Sequence, residues 1–75
     1  MSALLDEVRI SRQLPPPALA CEIRRAAGVT RQRLADELGV HVVTVARWER
    51  GTRHPRGSTR TAYAQLLLDL NGAVS

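Results

Sequence analysis

Arginine is the residue type with the most evident chemistry in this sequence, and it is concentrated in one segment. All 11 basic residues are Arg, and nine of them lie between residues 24 and 60. Only three acidic residues oppose them there, so this segment carries +6 in a chain whose net charge is +4. A planar guanidinium binds phosphate oxygens and guanine edges with paired hydrogen bonds, although a GC-rich genome explains the absence of Lys equally well. The charge distribution predicts a polyanionic partner, nucleic acid above all.

The other reactive residue types form no catalytic or metal-binding pattern. A single cysteine, Cys21, excludes an internal disulfide and a cysteine-metal cluster, and we expect it to fill space beside the core. His41 and His54 have no carboxylate at ligand spacing, and no nucleophile, base and orienting group fall together. We therefore expect no enzyme, no cofactor and no metal.

Length and composition favour one small domain. A chain of 75 residues buries only about 60% of its unfolded surface, which favours compact helices over a large pocket. Phe is absent, so the core must come from Leu, Val and Ile with Trp48 and Tyr63. No apolar run approaches the roughly 18 residues of a membrane span. The acidic start, with Asp6 and Glu7, is unlike a secretory signal, so we expect a cytoplasmic protein with no membrane contact.

Two short helices joined by a tight turn are predicted for residues 31–50, in the middle of the basic segment. Apolar residues recur at helical spacing in each half, and a glycine between them accepts the left-handed conformation that ends a helix. The residues that we expect in the core of this motif are Leu34, Ala35, Leu38, Gly39, Val40, Val45 and Trp48. Two helices that cross steeply around a glycine-containing turn form the helix-turn-helix of DNA-binding proteins.

Two helices are predicted before the motif. The first covers residues 2–14, with Ser2 as a capping residue, and Pro15–Pro17 ends it. The second begins at about Pro17 and runs to Ala27, and Gly28 ends it. We expect its inward stripe to be Leu19, Ile23 and Ala26 or Ala27. Thr30 should then cap the first helix of the motif.

A last helix is predicted after the motif, starting with Ser58 or Thr59 as its cap and ending at Asn71–Gly72. Its inward stripe is Tyr63, Leu66, Leu67 and Leu70, and Leu68 lies off that stripe. The domain organisation that we expect is an N-terminal helical extension (1–14), a helix-turn-helix DNA-binding domain (15–72) and a frayed tail (73–75).

The segment from Ile23 to about Leu70 resembles the Cro/repressor-type (XRE family) helix-turn-helix domains of phage and bacterial transcription regulators. The matching pattern is I-R-R-A-A-G-V-T-R-Q-R-L-A-D-E-L-G-V, then V-A-R-W-E-R-G, then a proline and an amphipathic helix. The resemblance covers about two thirds of the chain. It implies an all-α, compact four- to five-helix bundle of the phage-repressor type with a central helix-turn-helix.

The resemblance also implies that residues 42–50 form the recognition helix in the major groove of DNA. With Val45 and Trp48 facing inward, the base-reading candidates are His41, Val42, Val43, Ala46 and Arg47. Arg47 is the main candidate because Arg pairs with guanine O6 and N7, whereas valines contact thymine methyl groups. Packing of Val42 against the turn is an alternative. His41 replaces a small hydroxyl common in the family, so we expect a weaker helix cap and leave its contact with phosphate or base open.

Further roles follow from the resemblance for the DNA backbone and for the scaffold. The candidates for contact with the DNA backbone are Thr30, Arg31, Thr44, Arg50, Arg53 and Arg56. Arg24 and Glu49 match positions that form a structural ion pair in some relatives, between the helix before the motif and the end of the recognition helix.

The leading hypothesis is a sequence-specific regulator of transcription, of the small repressor type, that binds double-stranded DNA as a homodimer on paired half-sites. Two alternatives remain open. One is an excisionase-like accessory factor that bends DNA for recombination. The other is an antitoxin in which residues 2–14 bind a partner protein.

Overall fold

Five α-helices and no strand make up residues 3–74, the part of the chain that the computed structural model describes. The helices are α1 (Ala3–Arg12), α2 (Pro17–Ala26), α3 (Arg31–Leu38), α4 (Val42–Arg50) and α5 (Gly57–Val74). α3 and α4 are the two helices of the motif, and α4 packs against α3 and α2. The all-α bundle with a central helix-turn-helix that the sequence predicts is therefore confirmed.

Local signals in the sequence begin and end the helices of the motif. The Thr30 hydroxyl accepts a hydrogen bond from the backbone N–H of Arg33 at 3.1 Å, which caps α3. Gly39 then ends α3 in the left-handed region with φ +68°, where a side chain would be strained. Gly51 ends α4 in the same way with φ +78°. These two glycines fix the angle at which the chain enters and leaves α4.

The core lies between α2, α3, α4 and α5. Its buried members are Ala20, Leu34, Ala35, Val45, Trp48, Tyr63 and Leu67. The rings of Trp48 and Tyr63 stack at a tilt of 34°, with 4.9 Å between their centroids. Leu38 and Val40 are partly buried and pack around this cluster. Trp48 thus anchors the inner face of α4, which leaves the opposite face of that helix open to solvent.

The inward face of α2 differs from the sequence-based expectation. Leu19 is 51% exposed, and the buried residues are Ala20 and Arg24. The expectation for Leu19 is wrong because Arg24 turns inward to meet an acidic group from α4, and the buried face of the helix shifts with it. Arg24 is therefore buried at a position of α2 that the apolar pattern places at the surface.

The ends of α1 and α5 also differ from expectation. α1 stops at Arg12 rather than residue 14, because the prolines that follow prevent it from continuing. α5 begins at Gly57, earlier than Ser58 or Thr59, and continues through Gly72 to Val74. The division of the chain into residues 1–14, 15–72 and 73–75 stays a prediction. Ser2, the expected cap of α1, and Ser75 lie outside the described residues.

α1 packs against α5, and the Arg60 Nε donates a hydrogen bond to the Ser11 hydroxyl at 3.0 Å across that contact. Over residues 3–74, none of the helices combines the length and the apolar character that crossing a membrane requires.

Candidate nucleic-acid interface

The C-terminal half of α4 is fixed from inside by Glu49. Its carboxylate accepts two hydrogen bonds from Arg24, at 2.6 Å from Nε and 3.1 Å from Nη2. Both side chains are buried, with 9% and 2% of their surfaces exposed. Arg24 also donates to the carbonyl of Val29 at 2.8 Å, immediately before the cap of α3. One guanidinium therefore connects α2, the start of α3 and the end of α4.

The pKa values of this pair reflect competition between burial and hydrogen bonding. Burial raises the pKa of Glu49, but the hydrogen bonds from Arg24 and Arg31 outweigh it, so the pKa of Glu49 lies below its ordinary value. The hydrogen bond to Glu49 raises the pKa of Arg24 against the opposing effect of burial. Both groups are therefore charged at neutral pH, and the Arg24–Glu49 ion pair that the resemblance implies is present with two-point geometry.

Arg31 joins the same carboxylate, which sequence reasoning did not anticipate. Its Nε donates to Glu49 Oε1 at 2.8 Å, while 46% of its side chain remains exposed. The two terminal nitrogens of Arg31 have no hydrogen-bond partner among residues 3–74, so they can still donate to a phosphate. No spacing in the sequence signals this contact, because it depends on how α3 and α4 cross.

His41 caps α4 through its ring. Its Nδ1 accepts a hydrogen bond from the backbone N–H of Val43 at 3.1 Å. His41 therefore supplies a side-chain cap, and the expectation that this cap is weaker than that of a hydroxyl residue stays a prediction. Since Nδ1 is the acceptor, a neutral ring carries its proton on Nε2, and that N–H is the donor that the side chain retains.

The two valines at the start of α4 have different surroundings. Val42 is partly buried and packs against the core, which favours the packing alternative, and its contact with a base stays a prediction. Val43 is 45% exposed and keeps its role as a candidate for contact with a thymine methyl. Ala46, one turn further along, is half-buried and too short to reach far from the helix.

Arg47 projects from the outer face of α4 into a concave surface formed with the α4–α5 loop. This hollow has a volume of about 420 Å³. It brings together Val40, Thr44, Arg47, Trp48, Arg53, His54, Pro55, Arg56 and Thr59. Four of the predicted DNA contacts thus share one surface. His54 and Thr59 are additional polar members that the motif pattern does not mark.

The loop that carries Arg53 is held to the end of α4. The carbonyl of Arg47 accepts hydrogen bonds from the backbone N–H and the hydroxyl of Thr52, at 3.1 and 3.3 Å. This contact keeps Arg53 next to Arg47, and Arg50 lies exposed on the last turn of the same helix.

The outer face of α4 carries positive charge without an opposing acid. Glu49 is the one acidic residue between 42 and 50, and it is buried against Arg24 and Arg31. Arg47 and Arg50 therefore meet solvent beside the apolar Val43. The remaining acids of the motif, Asp36 and Glu37, lie on α3. Such a surface can neutralise phosphates and present one fork of donors to a base edge.

The fold and this outward-facing basic helix define a helix-turn-helix protein. A family model described as Helix-turn-helix matches residues 22–67, which is more than half of the chain. The chain belongs to this family, the helix-turn-helix domains of the XRE type, and it is a DNA-binding regulator of that type. Comparisons with curated proteins and with solved structures gave no match.

Proposed function

We propose that this protein regulates transcription as a small repressor that binds specific sites in double-stranded DNA. In this proposal, residues 15–72 form the DNA-binding unit and α4 enters the major groove. The observation that carries it is the outer face of α4, where Val43 and Arg47 are exposed because Glu49 and Trp48 point into the core. Reading of bases by a few side chains on a rigid helix is how such motifs achieve specificity.

Each exposed group has a distinct task in this proposal. Arg47 reads a guanine through O6 and N7, and Val43 contacts the methyl group of a nearby thymine. The N–H on Nε2 of His41 donates to DNA at the start of the helix. These contacts specify the sequence, and the backbone contacts set the position of the helix on the duplex.

The backbone contacts come from both ends of the motif. On one side, Thr30 and the half-exposed Arg31 lie at the N-terminus of α3, where backbone N–H groups favour an anion. On the other side, the hollow beside α4 supplies Thr44, Arg53 and Arg56, and Arg50 lies between the two groups. Phosphates that run along the major groove can therefore be held on both flanks of α4.

A homodimer on paired half-sites completes the proposal, because one short helix reads few base pairs. Two recognition helices related by a two-fold axis require half-sites about 34–36 Å apart along the duplex. The dimer would double both the number of bases read and the number of phosphates neutralised.

Selection of bound duplexes from a random pool tests this function. We expect enrichment of a half-site in which a G·C pair lies close to a T, repeated as a palindrome at a spacing of one helical turn. The same experiment distinguishes a regulator from an accessory factor for recombination, for which direct repeats and a bend are expected. A pool that shows no enrichment after several rounds would contradict sequence-specific binding.

A further inference from the structure

Arg31 is a cation at a position that the electrostatics of its own helix disfavour. It is the first residue of α3, and the first turn of α3 contains no acidic residue. The N-terminus of a helix is the positive end of the helix dipole. The Thr30 hydroxyl binds the backbone N–H of Arg33, whereas the N–H groups of residues 31 and 32 have no hydrogen-bond partner among residues 3–74. A positive side chain at this position therefore requires an anion from another part of the molecule or from a ligand.

Glu49 supplies this anion only in part. Its carboxylate is 2% exposed and binds two guanidinium groups, those of Arg24 and Arg31. Arg24 donates two of the three hydrogen bonds, and the Nε of Arg31 donates the third at 2.8 Å. Two positive charges and one negative charge leave a net charge of +1 in this cluster. The Arg24 side chain is 9% exposed and that of Arg31 is 46% exposed, so the excess positive charge meets solvent at Arg31.

The hydrogen bond to Glu49 also limits the directions in which the Arg31 guanidinium can point. The group is planar and rigid, so a bond at Nε leaves the two terminal nitrogens as a fork of donors. A phosphate matches such a fork with two of its oxygens, and its charge balances the excess positive charge of the cluster. Because the side chain is already held, phosphate binding costs less rotamer entropy than it does for a free arginine.

We propose that Glu49 is a positioning residue for DNA binding, which holds Arg31 so that its terminal nitrogens bind a phosphate of the duplex. The inference rests on the proposed function, because the phosphate belongs to the duplex that α4 reads. Glu49 lies in the last turn of α4, so its carboxylate connects the phosphate contact at α3 with the helix that reads the bases. A buried acidic residue thereby strengthens the binding of a polyanion.

Replacement of Arg31 by lysine tests this role while the Arg24–Glu49 pair stays in place. Arg31→Lys keeps the positive charge, but an ammonium group has no second edge, so an ammonium that binds Glu49 is drawn away from the phosphate. We expect the Kd for the selected half-site duplex to rise about threefold to tenfold. Arg53→Lys is the matched control, since Arg53 is a proposed phosphate contact without an ion pair among residues 3–74. Its Kd should rise by less than about twofold, because the charge is retained.

Replacement of Glu49 by glutamine tests the acid itself, because net charge and positioning predict opposite effects on DNA binding. Loss of a negative charge should tighten binding if charge alone matters, whereas we expect Glu49→Gln to raise the Kd by about threefold or more. In an Arg31→Ala background no arginine remains to be positioned, so Glu49→Gln should leave the Kd unchanged or lower it. A purely structural role of Glu49 predicts equal losses of affinity in both backgrounds. Circular dichroism in urea identifies conditions in which all of these proteins are folded.

The salt dependence of binding shows whether the contact of Arg31 is with a phosphate. Arg31→Ala should make the slope of log affinity against log salt concentration less steep by about 0.9. Three results would overturn the inference in a wild type that binds DNA. They are an unchanged slope in Arg31→Ala, an Arg31→Lys variant that binds as tightly as the wild type, and a Glu49→Gln effect that is the same in both backgrounds. A wild type that binds neither the selected nor a scrambled duplex would instead refute the proposed function.

Discussion

Arg24 and Arg47 have the same side chain in opposite surroundings. Arg24 is 7% exposed and its guanidinium is shared between the Glu49 carboxylate and the Val29 carbonyl. Arg47 is exposed and has no acidic partner among residues 3–74. The comparison of Arg24 with Arg47 shows that the presence of a nearby buried acid decides the role of an arginine. An arginine beside such an acid stabilises the fold, and one without it stays available for a ligand.

The surroundings of Arg31 are intermediate between those of Arg24 and those of Arg47. It shares Glu49 with Arg24 through Nε, yet about half of its side chain meets solvent. A guanidinium that is already held by one edge loses less conformational entropy when its other edge binds a phosphate. Glu49 therefore serves the scaffold and also orients one arginine toward the candidate interface.

Removal of the buried arginine should have the largest effect on stability. We expect Arg24→Ala to lower the free energy of unfolding by about 3–5 kcal/mol, because the buried Glu49 loses its partner. Urea denaturation followed by circular dichroism measures the loss. Arg25→Ala is the matched control, since its ion pair with Glu22 is 3.8 Å long and more than two thirds exposed, and it should cost no more than about 1 kcal/mol. Equal losses of unfolding free energy in Arg24→Ala and Arg25→Ala would contradict the claim that the buried ion pair stabilises the fold more than the exposed one.

Acid should weaken the same pair without a mutation. Because the pKa of Glu49 is lower in the folded chain than its ordinary value of 4.5, its contribution to stability is complete above that value. The contribution is lost as the pH falls below 4.5 and through the lower pKa of the folded state. In thermal melts between neutral pH and acid, Glu49→Gln should show a smaller decline than the wild type. Parallel curves for the two proteins would mean that Glu49 does not titrate as described.

Substitution of the exposed arginine should change specificity and not stability. Arg47→Ala should reduce discrimination at one base pair of the selected site by about 1–3 kcal/mol. Arg53→Ala, in the same hollow, should weaken binding to all sequences alike, because the role proposed for Arg53 is contact with a phosphate. Competition titrations with single-base variants of the site measure both effects. If Arg47→Ala weakened specific and random duplexes equally, Arg47 would be a backbone contact.

Tyr63 extends the comparison to a buried polar group that lacks a partner. Its hydroxyl is buried and has no hydrogen-bond partner among the described residues, and burial raises the pKa of Tyr63 to about 12. Since an unsatisfied buried hydroxyl is destabilising, Tyr63→Phe should raise the free energy of unfolding by about 1 kcal/mol. A loss of stability in urea would show that the hydroxyl forms a bond that matters.

The sequence was sufficient for the features that depend on local chemistry. Gly39 ends α3 because a residue without a side chain accepts a positive φ, and Thr30 caps α3 because its hydroxyl reaches a free N–H. The period of apolar residues places Val45 and Trp48 in the core. Each of these three features can be predicted from the identities of a few neighbouring residues.

Features that depend on how helices meet could not be predicted in the same way. Leu19 is exposed although it fits an apolar stripe, because Arg24 turns α2 toward Glu49. His41 caps α4 by a ring rotation that composition does not specify. The contact of Arg31 with Glu49 arises only when α3 and α4 pack together. For the candidate interface, the sequence predicts the helix and its arginines, but it did not indicate that Arg31 is already bound to Glu49.

The dependence of DNA binding on salt tests the central claim most directly. Four or five phosphate contacts per subunit predict that a plot of log affinity against log salt concentration has a slope of about −4 per monomer. Measured on the selected half-site duplex and on a scrambled duplex of equal length, the two slopes should be similar while the selected duplex binds more tightly. A slope near zero on both duplexes would contradict binding through the arginines around α4.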